Sequence, residues 1–334
     1  MRDALLGLIG GFRISQMIAI AAKLRIADHL SDGPKTARAL AELTGSHSDA
    51  LYRVLRALAS AGVFAEDETE LFRLTAMGEW LRSDVRGSVR TAAEVVGEEW
   101  MWRPWGALAQ TVTTGETAFD ALYGQNTWTW FGEHPVAARL FDSFMDDMTL
   151  ADAESIVASF DFSVDRTIVD VAGGRGVLLA EILRKNPGTR GLLFNVAAVI
   201  ESARLTFPSA LTDRVEFVAG DFFLAVPGGG DLYILKNILH DWADAEATKI
   251  LIACRVAMPS HARVVIIEHL VCAPNERCAG KVGDVQMMVR TGGRNRTIAE
   301  LSHLLAAAGF RPPVAQPTRG GPDMVVAALV ENVV

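Results

Sequence analysis

The chain has 334 residues, of which 50% are hydrophobic, with a formal net charge of −8 and a pI near 5.4. This length and composition allow a large core and favour two domains. The acidic balance argues against a nucleic-acid backbone as the main partner. No run of 18 apolar residues is present, so we expect no membrane span, and polar residues interrupt the apolar N-terminal stretch that a secretory signal would need: Arg13, Ser15 and Gln16.

The cysteines give a further indication of the compartment. Cys254, Cys272 and Cys278 have no metal-ligand spacing, and their odd number leaves at least one free thiol. We therefore expect no bound metal and a location in the reducing cytoplasm.

Residues 1 to about 90 have the pattern of a winged helix, a fold that often binds DNA. Phosphate contacts dominate DNA affinity, yet the second predicted helix has only Arg53 and Arg56 as strong positive charges, and the wing is acidic. DNA binding is therefore the weaker interpretation of this region. Its predicted elements are two helices and a two-stranded wing, at residues 37–43, 49–60, 63–65 and 71–74.

After a helical region rich in tryptophan and methionine at 92–160, strands and helices alternate from residue 161, as in a doubly wound sheet. Residues 168–171 are short, apolar and β-branched, which predicts a buried strand, and the spacing of apolar residues in 177–183 predicts a helix packed on the sheet. Further strands are predicted at 191–194, 215–218, 232–235, 264–267 and 324–329.

A glycine-rich turn, residues 173–176, lies between that first strand and its helix. Its glycines permit a tight backbone turn that a ligand can approach closely. A dinucleotide-binding turn would have the pattern G-x-G-x-x-G, but Leu179 occupies the third glycine position. The segment instead fits acidic-x-Gly-x-Gly-x-Gly, the pattern of S-adenosylmethionine sites, with Asp170 leading it and Ala172 replacing the first glycine.

A histidine, a carboxylate and a tryptophan follow the predicted strand at 232–235, as His240, Asp241 and Trp242. Ligands bind at the carboxyl ends of strands in such sheets, and a neutral imidazole can take up a proton near pH 7. A single histidine is more often structural than catalytic. The functional interpretation therefore depends on the glycine turn upstream.

Four motifs, at residues 170–176, 220–223, 239–242 and 291–297, occur in the order and spacing of one family. The chain resembles the small-molecule O-methyltransferases that include plant caffeic acid O-methyltransferase and bacterial antibiotic-tailoring enzymes, over nearly its whole length. The resemblance implies a Rossmann-like class I methyltransferase sheet behind a mostly helical, winged-helix-like dimerisation domain. The implied regions are a dimerisation domain at 1–92, a helical substrate roof at 93–160 and a cofactor-binding catalytic domain at 161–334.

The resemblance also implies catalytic roles. A phenol with a pKa of about 10 must lose its proton to accept a methyl group, and an imidazole with a pKa of about 6.5 can take it. By its place in the family motif His240 is that base, and Glu268 is the carboxylate that orients the ring, unless it is only an acid at the end of a strand.

The same resemblance implies a site for S-adenosylmethionine, with S-adenosylhomocysteine as the product. Asp221 and Phe222 would meet the adenine, Trp242 would stack near it, and Lys236 would bind the cofactor carboxylate. The glycine turn would lie beneath the amino-acid part of the cofactor. The predicted cofactor-binding residues are Asp170, Gly173, Gly174, Asn195, Asp221, Phe222, Lys236 and Trp242.

Two departures from the family pattern replace an acid with an amide. Asn195 stands where the family has an acidic residue that accepts hydrogen bonds from both ribose hydroxyls. Charge-assisted bonds are stronger by roughly 1 kcal/mol each, so we expect weaker cofactor binding. Asn295 stands where family members often have a glutamate flanking the catalytic histidine, so His240 would be a weaker base.

Substrate contacts are implied from two parts of the chain. The helix predicted at 282–289 carries Met287 and Met288 as candidate clamps, and Asp284, which either hydrogen-bonds the acceptor or is a solvated acid. In the family, helices equivalent to those of the 93–160 region roof the acceptor pocket. Methionine beside flat aromatic rings suits a planar aromatic guest, and the candidate wall residues are Trp102, Met145 and Met148.

The first helices of the family can reach the partner's active site. Arg13, the one charge within an apolar N-terminal stripe, is a candidate contact for an acidic substrate group, with a solvated arginine as the alternative.

The sequence thus predicts a cytoplasmic, homodimeric methyltransferase that uses S-adenosylmethionine to methylate a hydroxyl of an aromatic metabolite, without nucleic-acid or membrane partners. One alternative keeps the fold and the bound cofactor but catalyses hydroxylation or a pericyclic reaction, as Asn195 and Asn295 could indicate. A second is a ligand-responsive winged-helix regulator. The acceptor's identity, and whether its atom is oxygen, nitrogen or carbon, stay open.

Overall fold

A computed structural model describes residues 1–318 and 320–330 and divides into two compact units. The first unit comprises Met1–Arg103 and Val136–Ala151, and the second comprises Pro104–Pro135 and Asp152–Val334. The predicted helical region 93–160 therefore contributes residues to both units.

The first unit is mostly helical. Its small antiparallel sheet has the strand order β1 (Lys35–Thr36), β3 (Leu71–Leu74), β2 (Phe64–Glu66). A short 3₁₀ helix, Gly78–Leu81, follows β3. The elements are α1 (Arg2–Lys23), α2 (Ile26–His29), β1 (Lys35–Thr36), α3 (Ala37–Thr44), α4 (Ser48–Ser60), β2 (Phe64–Glu66), β3 (Leu71–Leu74), α5 (Arg90–Gly97) and, shared with the second unit, α6 (Glu99–Gly106) and α10 (Pro135–Ser159).

The winged-helix pattern predicted for this unit is present. The Thr36 hydroxyl caps α3 by accepting a hydrogen bond from the Ala39 N–H. Gly45, with φ of 68°, ends that helix in the left-handed conformation that glycine adopts readily. On α4 the apolar spacing buries Leu51, Leu55 and Leu58, and β2 pairs with β3 as the wing.

The N-terminal helix α1 presents an apolar surface outward. Leu5, Leu8, Ile9 and Phe12 are each more than half exposed within the single chain. Among the described residues α1 is also the one helix whose length and hydropathy would let it cross a membrane, a finding that the sequence did not predict. An apolar helix near the N-terminus passes this test without crossing a membrane, so the finding is weak evidence for a span.

The second unit alternates strands and helices as predicted. Its elements are α7 (Leu108–Thr114), α8 (Ala118–Tyr123), α9 (Thr127–Glu133), β4 (Thr167–Val171), α11 (Val177–Lys185), β5 (Arg190–Asn195), α12 (Ala197–Thr206), a 3₁₀ helix (Ser209–Arg214), β6 (Val215–Ala219), β7 (Leu232–Lys236), a 3₁₀ turn (Leu239–Asp241), α13 (Asp244–Ala257), β8 (Arg263–Glu268), α14 (Ala279–Arg290), α15 (Ile298–Ala307), β9 (Val314–Gln316) and β10 (Asp323–Ala328).

Seven strands form one sheet in the order β6-β5-β4-β7-β8-β10-β9. The strands from β4 to β8 are parallel, and β10 and β9 add an antiparallel edge. The predicted doubly wound sheet is thereby confirmed. Strand order reverses between β4 and β7, so the crevice for a ligand opens at their carboxyl ends. The glycine turn and His240 both follow those ends.

The edge strand β9 was not predicted from the sequence. It has three residues, of which Val314 and Ala315 are exposed, and it pairs only with β10. A strand this short at an edge buries too little apolar surface to produce a periodic pattern, and the neighbouring prolines resemble a loop.

Leu179, the residue that rules out the dinucleotide pattern, packs α11 against the sheet. A Cβ on Gly191 of β5 would lie 2.8 Å from Leu179 Cδ2, closer than side chains tolerate. In dinucleotide folds the third glycine of the motif lets the helix approach the strand. Here the helix has the large residue, Leu179, and the strand has the glycine, Gly191. The helix and the strand therefore approach each other closely, as in dinucleotide folds, but the glycine is on the strand.

We expect Gly191→Ala to lower the free energy of unfolding by about 1–3 kcal/mol, because the added methyl group overpacks this contact. Urea denaturation measures the change. Gly188→Ala, whose Cβ would meet no atom within 4 Å, is the matched control and should change stability little. Adding Leu179→Ala should relieve the clash, so the effects of the two substitutions should be non-additive. Equal stability of Gly191→Ala and the control would contradict this packing.

Candidate active site

The glycine turn follows β4 and leads into α11. Gly174 and Gly176 have φ of 57° and 83°, and Ala172 has φ of 55°. An alanine in this left-handed conformation is strained by about 1–2 kcal/mol, which is the physical consequence of its replacing the first glycine. A Cβ on Gly173 would lie 2.2 Å from Asp170 Cγ, so the carboxyl group of Asp170 lies directly beneath the turn.

Asp170 is almost fully buried, and its Oδ2 accepts no hydrogen bond from the described residues. Burial raises the pKa of Asp170 to about 7, although the charge of Lys236 opposes the shift. Lys236 ends β7, and its Nζ lies 3.3 Å from Oδ2 of Asp152 on α10. Burial lowers the pKa of this ammonium group, while the two carboxylates act against that change.

The turn formed by residues 239–242, here called the histidine turn, carries the predicted base. The side chain of His240 is 16% exposed. Burial lowers its pKa to about 3, and the nearby charge of Lys236 contributes in the same direction. The imidazole is therefore neutral at pH 7, as a general base must be. Its Nε2 lies 4.0 Å from Oδ1 of Asp241.

Glu268, at the end of β8, lies beside the histidine turn as predicted, but it contacts the main chain. Its Oε1 accepts a hydrogen bond of 3.0 Å from the His240 backbone N–H. Burial raises the pKa of Glu268 to about 7, and hydrogen bonds from the turn's backbone oppose the shift. No hydrogen bond joins Glu268 to the imidazole within the described residues, so this acid fixes the turn and not the ring directly.

Arg296 fixes the same turn from the other side. It is 1% exposed. Its Nη1 donates to the Leu239 carbonyl at 2.9 Å, and its Nη2 donates to the Trp242 carbonyl at 2.8 Å. Nε and Nη2 also donate to Oδ1 of Asp244, at 3.0 and 2.8 Å. A planar guanidinium can satisfy several acceptors at once, which explains why a fully buried cation occupies this place.

Asn295 precedes this arginine and is also buried. Its backbone N–H donates to Oδ1 of Asp284 at 3.0 Å, and its Nδ2 donates to the His269 carbonyl at 2.7 Å. Its Oδ1 accepts no hydrogen bond from the described residues. The structure thus brings Asn295 and Asp284 together. Among the described residues, no hydrogen bond joins Asn295 to the ring of His240.

The residues predicted for the adenosine end of the cofactor follow neighbouring strands. Asn195 ends β5, and its Oδ1 accepts the Val196 N–H at 2.8 Å. Asp221 follows β6, and its Oδ1 accepts the Phe223 N–H at 2.8 Å. The ring of Trp242 packs edge-on against Phe222, with the ring centroids 5.9 Å apart. These side chains therefore lie at one edge of the sheet, as the motif order predicts.

The helix α14 carries the predicted clamps. Met287 is buried and Met288 is half-buried. Sequence reasoning missed Arg290 on the same helix, which is 5% exposed, with its guanidinium carbon 6.0 Å from the Trp128 ring centroid and 5.7 Å from that of Phe131. Burial lowers the pKa of Arg290 to about 10, although the charge of Asp241 opposes this shift. The sequence feature that could have identified Arg290 is its position directly before the Thr-Gly-Gly motif.

The remaining predicted substrate residues lie in the first unit. Arg13 is exposed on α1, with its guanidinium 5.6 Å from the Phe12 ring. Trp102 is 46% exposed and Met148 is 37% exposed, and Met145 is half-buried. Their contacts with an acceptor stay predictions.

Two cysteines depart from the expectation of reduced thiols. Cys272 and Cys278 form a disulfide across the loop between β8 and α14, with Cα atoms 6.2 Å apart, and Cys254 is a buried free thiol. Within the described residues, no group of three or more His, Cys, Asp or Glu side chains is arranged to hold a metal ion.

Comparison with known proteins gives two family matches. The O-methyltransferase domain matches residues 105–311, and the O-methyltransferase dimerisation domain matches residues 6–84, which includes most of α1. Phenazine O-methyltransferase PhzM of Lysobacter antibioticus is 40% identical over 98% of this chain and 96% of its own length.

Solved structures agree with these matches. The crystal structure of LaPhzM has a TM-score of 0.95 and 39% identity, and the match covers 98% of this chain and 99% of that one. The structure of NcsB1 from neocarzinostatin biosynthesis, in complex with S-adenosylmethionine and 2-hydroxy-5-methyl naphthoic acid, has a TM-score of 0.83 and 32% identity over 95% of this chain and 96% of that one.

We expect Arg296→Lys to lower the free energy of unfolding by about 3 kcal/mol and to reduce turnover, because a lysine cannot serve all the acceptors of the histidine turn. Urea denaturation and a turnover assay measure the two effects. Arg294→Lys is the control, since Arg294 is 47% exposed in its ion pair with Glu300 and should change stability by less than about 1 kcal/mol. A loss no larger than the control's would contradict this role of Arg296.

Proposed function

The chain belongs to the family of O-methyltransferases with an N-terminal dimerisation domain, and from that premise we propose that it transfers the methyl group of S-adenosylmethionine to a hydroxyl of an aromatic metabolite. S-Adenosylhomocysteine is the second product. The observation that carries this function is that the glycine turn and His240 follow the carboxyl ends of two neighbouring parallel strands, β4 and β7.

The dimerisation domain makes the protein a homodimer, and the exposed apolar face of α1 suits burial against a second copy. This assignment accounts for an apolar N-terminal helix without a membrane. We place the enzyme in the cytoplasm, although a disulfide such as Cys272–Cys278 is rare in that compartment.

The residues at the glycine turn fit the cofactor. Gly173 has no room for a side chain above Asp170, and Asp170 has a buried oxygen that accepts no hydrogen bond from the described residues. Both features are those of a surface made for a polar ligand. When bound, S-adenosylmethionine supplies a methyl group on a positively charged sulfur. The residues that would hold it are Asp170, Gly173, Gly174, Asn195, Asp221, Phe222, Lys236 and Trp242.

His240 would take the proton of the acceptor hydroxyl. Moving a proton from a phenol with a pKa of about 10 to an imidazole with a pKa of about 3 costs roughly 10 kcal/mol. The base therefore needs an anion that stabilises its charged form. Asp241, with Oδ1 4.0 Å from Nε2, is placed to supply it in its ionised form, although burial raises the pKa of this carboxyl group to about 7. Glu268 and Arg296 keep the turn in position.

The acceptor would lie between His240 and the side chains of α14. Met287 and Met288 offer an adaptable apolar surface to a flat ring, and Asp284 can accept a hydrogen bond from a second polar group. Trp102, Met145 and Met148 are the proposed roof, and Arg13 of the partner subunit is the proposed contact for an acidic group. Alignment of the hydroxyl and exclusion of water are most of what such a transfer requires.

We expect His240→Ala to reduce turnover by roughly 10²–10⁴-fold, because general-base catalysis is lost, while the dissociation constant for S-adenosylmethionine changes by less than about twofold. Mass spectrometry detects the CH2 increment on an acceptor, and calorimetry measures cofactor binding. His303→Ala, an exposed histidine on α15, is the control.

Unaltered turnover in His240→Ala would refute the proposed base. Acceptors converted without any CH2 increment would favour the alternative in which the fold catalyses a different reaction. A wild-type protein that binds no cofactor at millimolar concentration would refute the methyltransferase function as a whole.

We expect Asn195→Asp to tighten S-adenosylmethionine binding by roughly tenfold, since a carboxylate accepts charge-assisted bonds from both ribose hydroxyls. Calorimetric titration measures the change. Asn275→Asp adds the same charge on an exposed loop and should leave the affinity unchanged. Equal affinities for wild type and Asn195→Asp would show that this position does not contact the ribose.

A further inference from the structure

We infer that Asp152 is an additional cofactor-binding residue, and that together with Asp170 it binds the α-ammonium group of the cofactor. This inference rests on the proposed function. The family motifs do not identify Asp152, because it lies on a helix far upstream of the glycine turn. The structure brings it to the turn.

A fixed piece of helix places Asp152. The residues that follow it on α10 include Ala153 and Ile156, both fully buried in the apolar cluster on one face of the catalytic sheet. The side chain of Asp152 is 16% exposed, and its Oδ2 lies 3.3 Å from Nζ of Lys236. The contact therefore joins α10 and β7 at the carboxyl edge of the sheet.

Two carboxyl groups act on one lysine at this place. Asp152 and Asp170 are two carboxyl groups, and Lys236 is the cation that acts on both. Asp170 Oδ2 is buried and accepts no hydrogen bond from the described residues. A buried carboxylate oxygen without a donor is unfavourable, so the site favours a ligand that brings both positive charge and N–H groups.

The amino-acid end of S-adenosylmethionine has those properties. Its ammonium group has three N–H donors, enough for Asp152 and Asp170 together. Its carboxylate can bind Lys236. Because the lysine ammonium group also has three N–H donors, Lys236 can keep its ion pair with Asp152 at the same time. The sulfonium of the bound cofactor would add one more positive charge.

A contrasting explanation gives Asp152 a different role. It could act only as a substitute anion that occupies Lys236 until the cofactor carboxylate displaces it. Removing the carboxylate would then remove a competitor for Lys236 and leave cofactor binding unchanged or tighter. The two explanations predict opposite changes in affinity, so a single substitution distinguishes them.

The experiment compares Asp152→Asn with the wild-type enzyme by calorimetric titration, using S-adenosylhomocysteine and 5′-methylthioadenosine as ligands. The second ligand lacks both the ammonium and the carboxylate. We expect Asp152→Asn to weaken S-adenosylhomocysteine binding by roughly tenfold or more, since a charged hydrogen bond is lost. Binding of 5′-methylthioadenosine should change by less than about twofold.

Two further variants serve as controls. Glu154→Gln removes an exposed carboxylate two residues away on α10 and should affect neither ligand. Asp152→Glu keeps the carboxylate and should retain more affinity for S-adenosylhomocysteine than Asp152→Asn. A thermal melting curve of each variant verifies that the protein is folded.

Unchanged or tighter binding of S-adenosylhomocysteine in Asp152→Asn would overturn the inference, and so would an equal loss for both ligands, which would indicate a general disturbance of the site. These results leave the proposed function intact provided that the wild-type enzyme binds both ligands. If the folded wild-type protein binds neither ligand, the proposed function fails and the inference fails with it.

Discussion

The guanidinium of Arg296 joins the histidine turn to the start of α15, and the position of the proposed base depends on this contact. It donates to carbonyl groups at both ends of the turn and to the carboxylate of Asp244. Glu268 accepts from the turn's backbone on the opposite side. Because the backbone of the turn is held from two directions, His240 has little freedom to move. The position of its ring therefore depends more on these backbone contacts than on a hydrogen bond to the imidazole.

Burial of charge is the second theme of this site. Asp170 and Glu268 have raised pKa values and His240 has a lowered one, in each case chiefly because burial disfavours the charged form. Folding places these groups at the sheet edge although their desolvation is unfavourable. Such groups are retained where a ligand supplies the missing charge or hydrogen bonds, and the glycine turn leaves the room for that ligand.

Much of the fold could be predicted from the sequence because it rests on local patterns. Buried parallel strands are continuous apolar runs and helices have periodic apolar faces, so the sheet and the winged helix are confirmed. The edge strand β9 could not be predicted, since three mostly exposed residues carry no pattern. Nor could the packing of Leu179 on Gly191, because the two residues belong to elements whose spacing the sequence does not state.

The sequence by itself determined the family, the doubly wound sheet and the motifs at its carboxyl edge, because residue type and spacing along one segment suffice for these. Only the tertiary structure decided that Asp152 contacts Lys236 and that Arg290 lies against Trp128. It also decided that Glu268 accepts a hydrogen bond from the backbone of His240 and not from its imidazole ring. Each of these contacts joins segments far apart in the chain. Their distances depend on how helices and strands pack, and packing is set by the shapes of many side chains together.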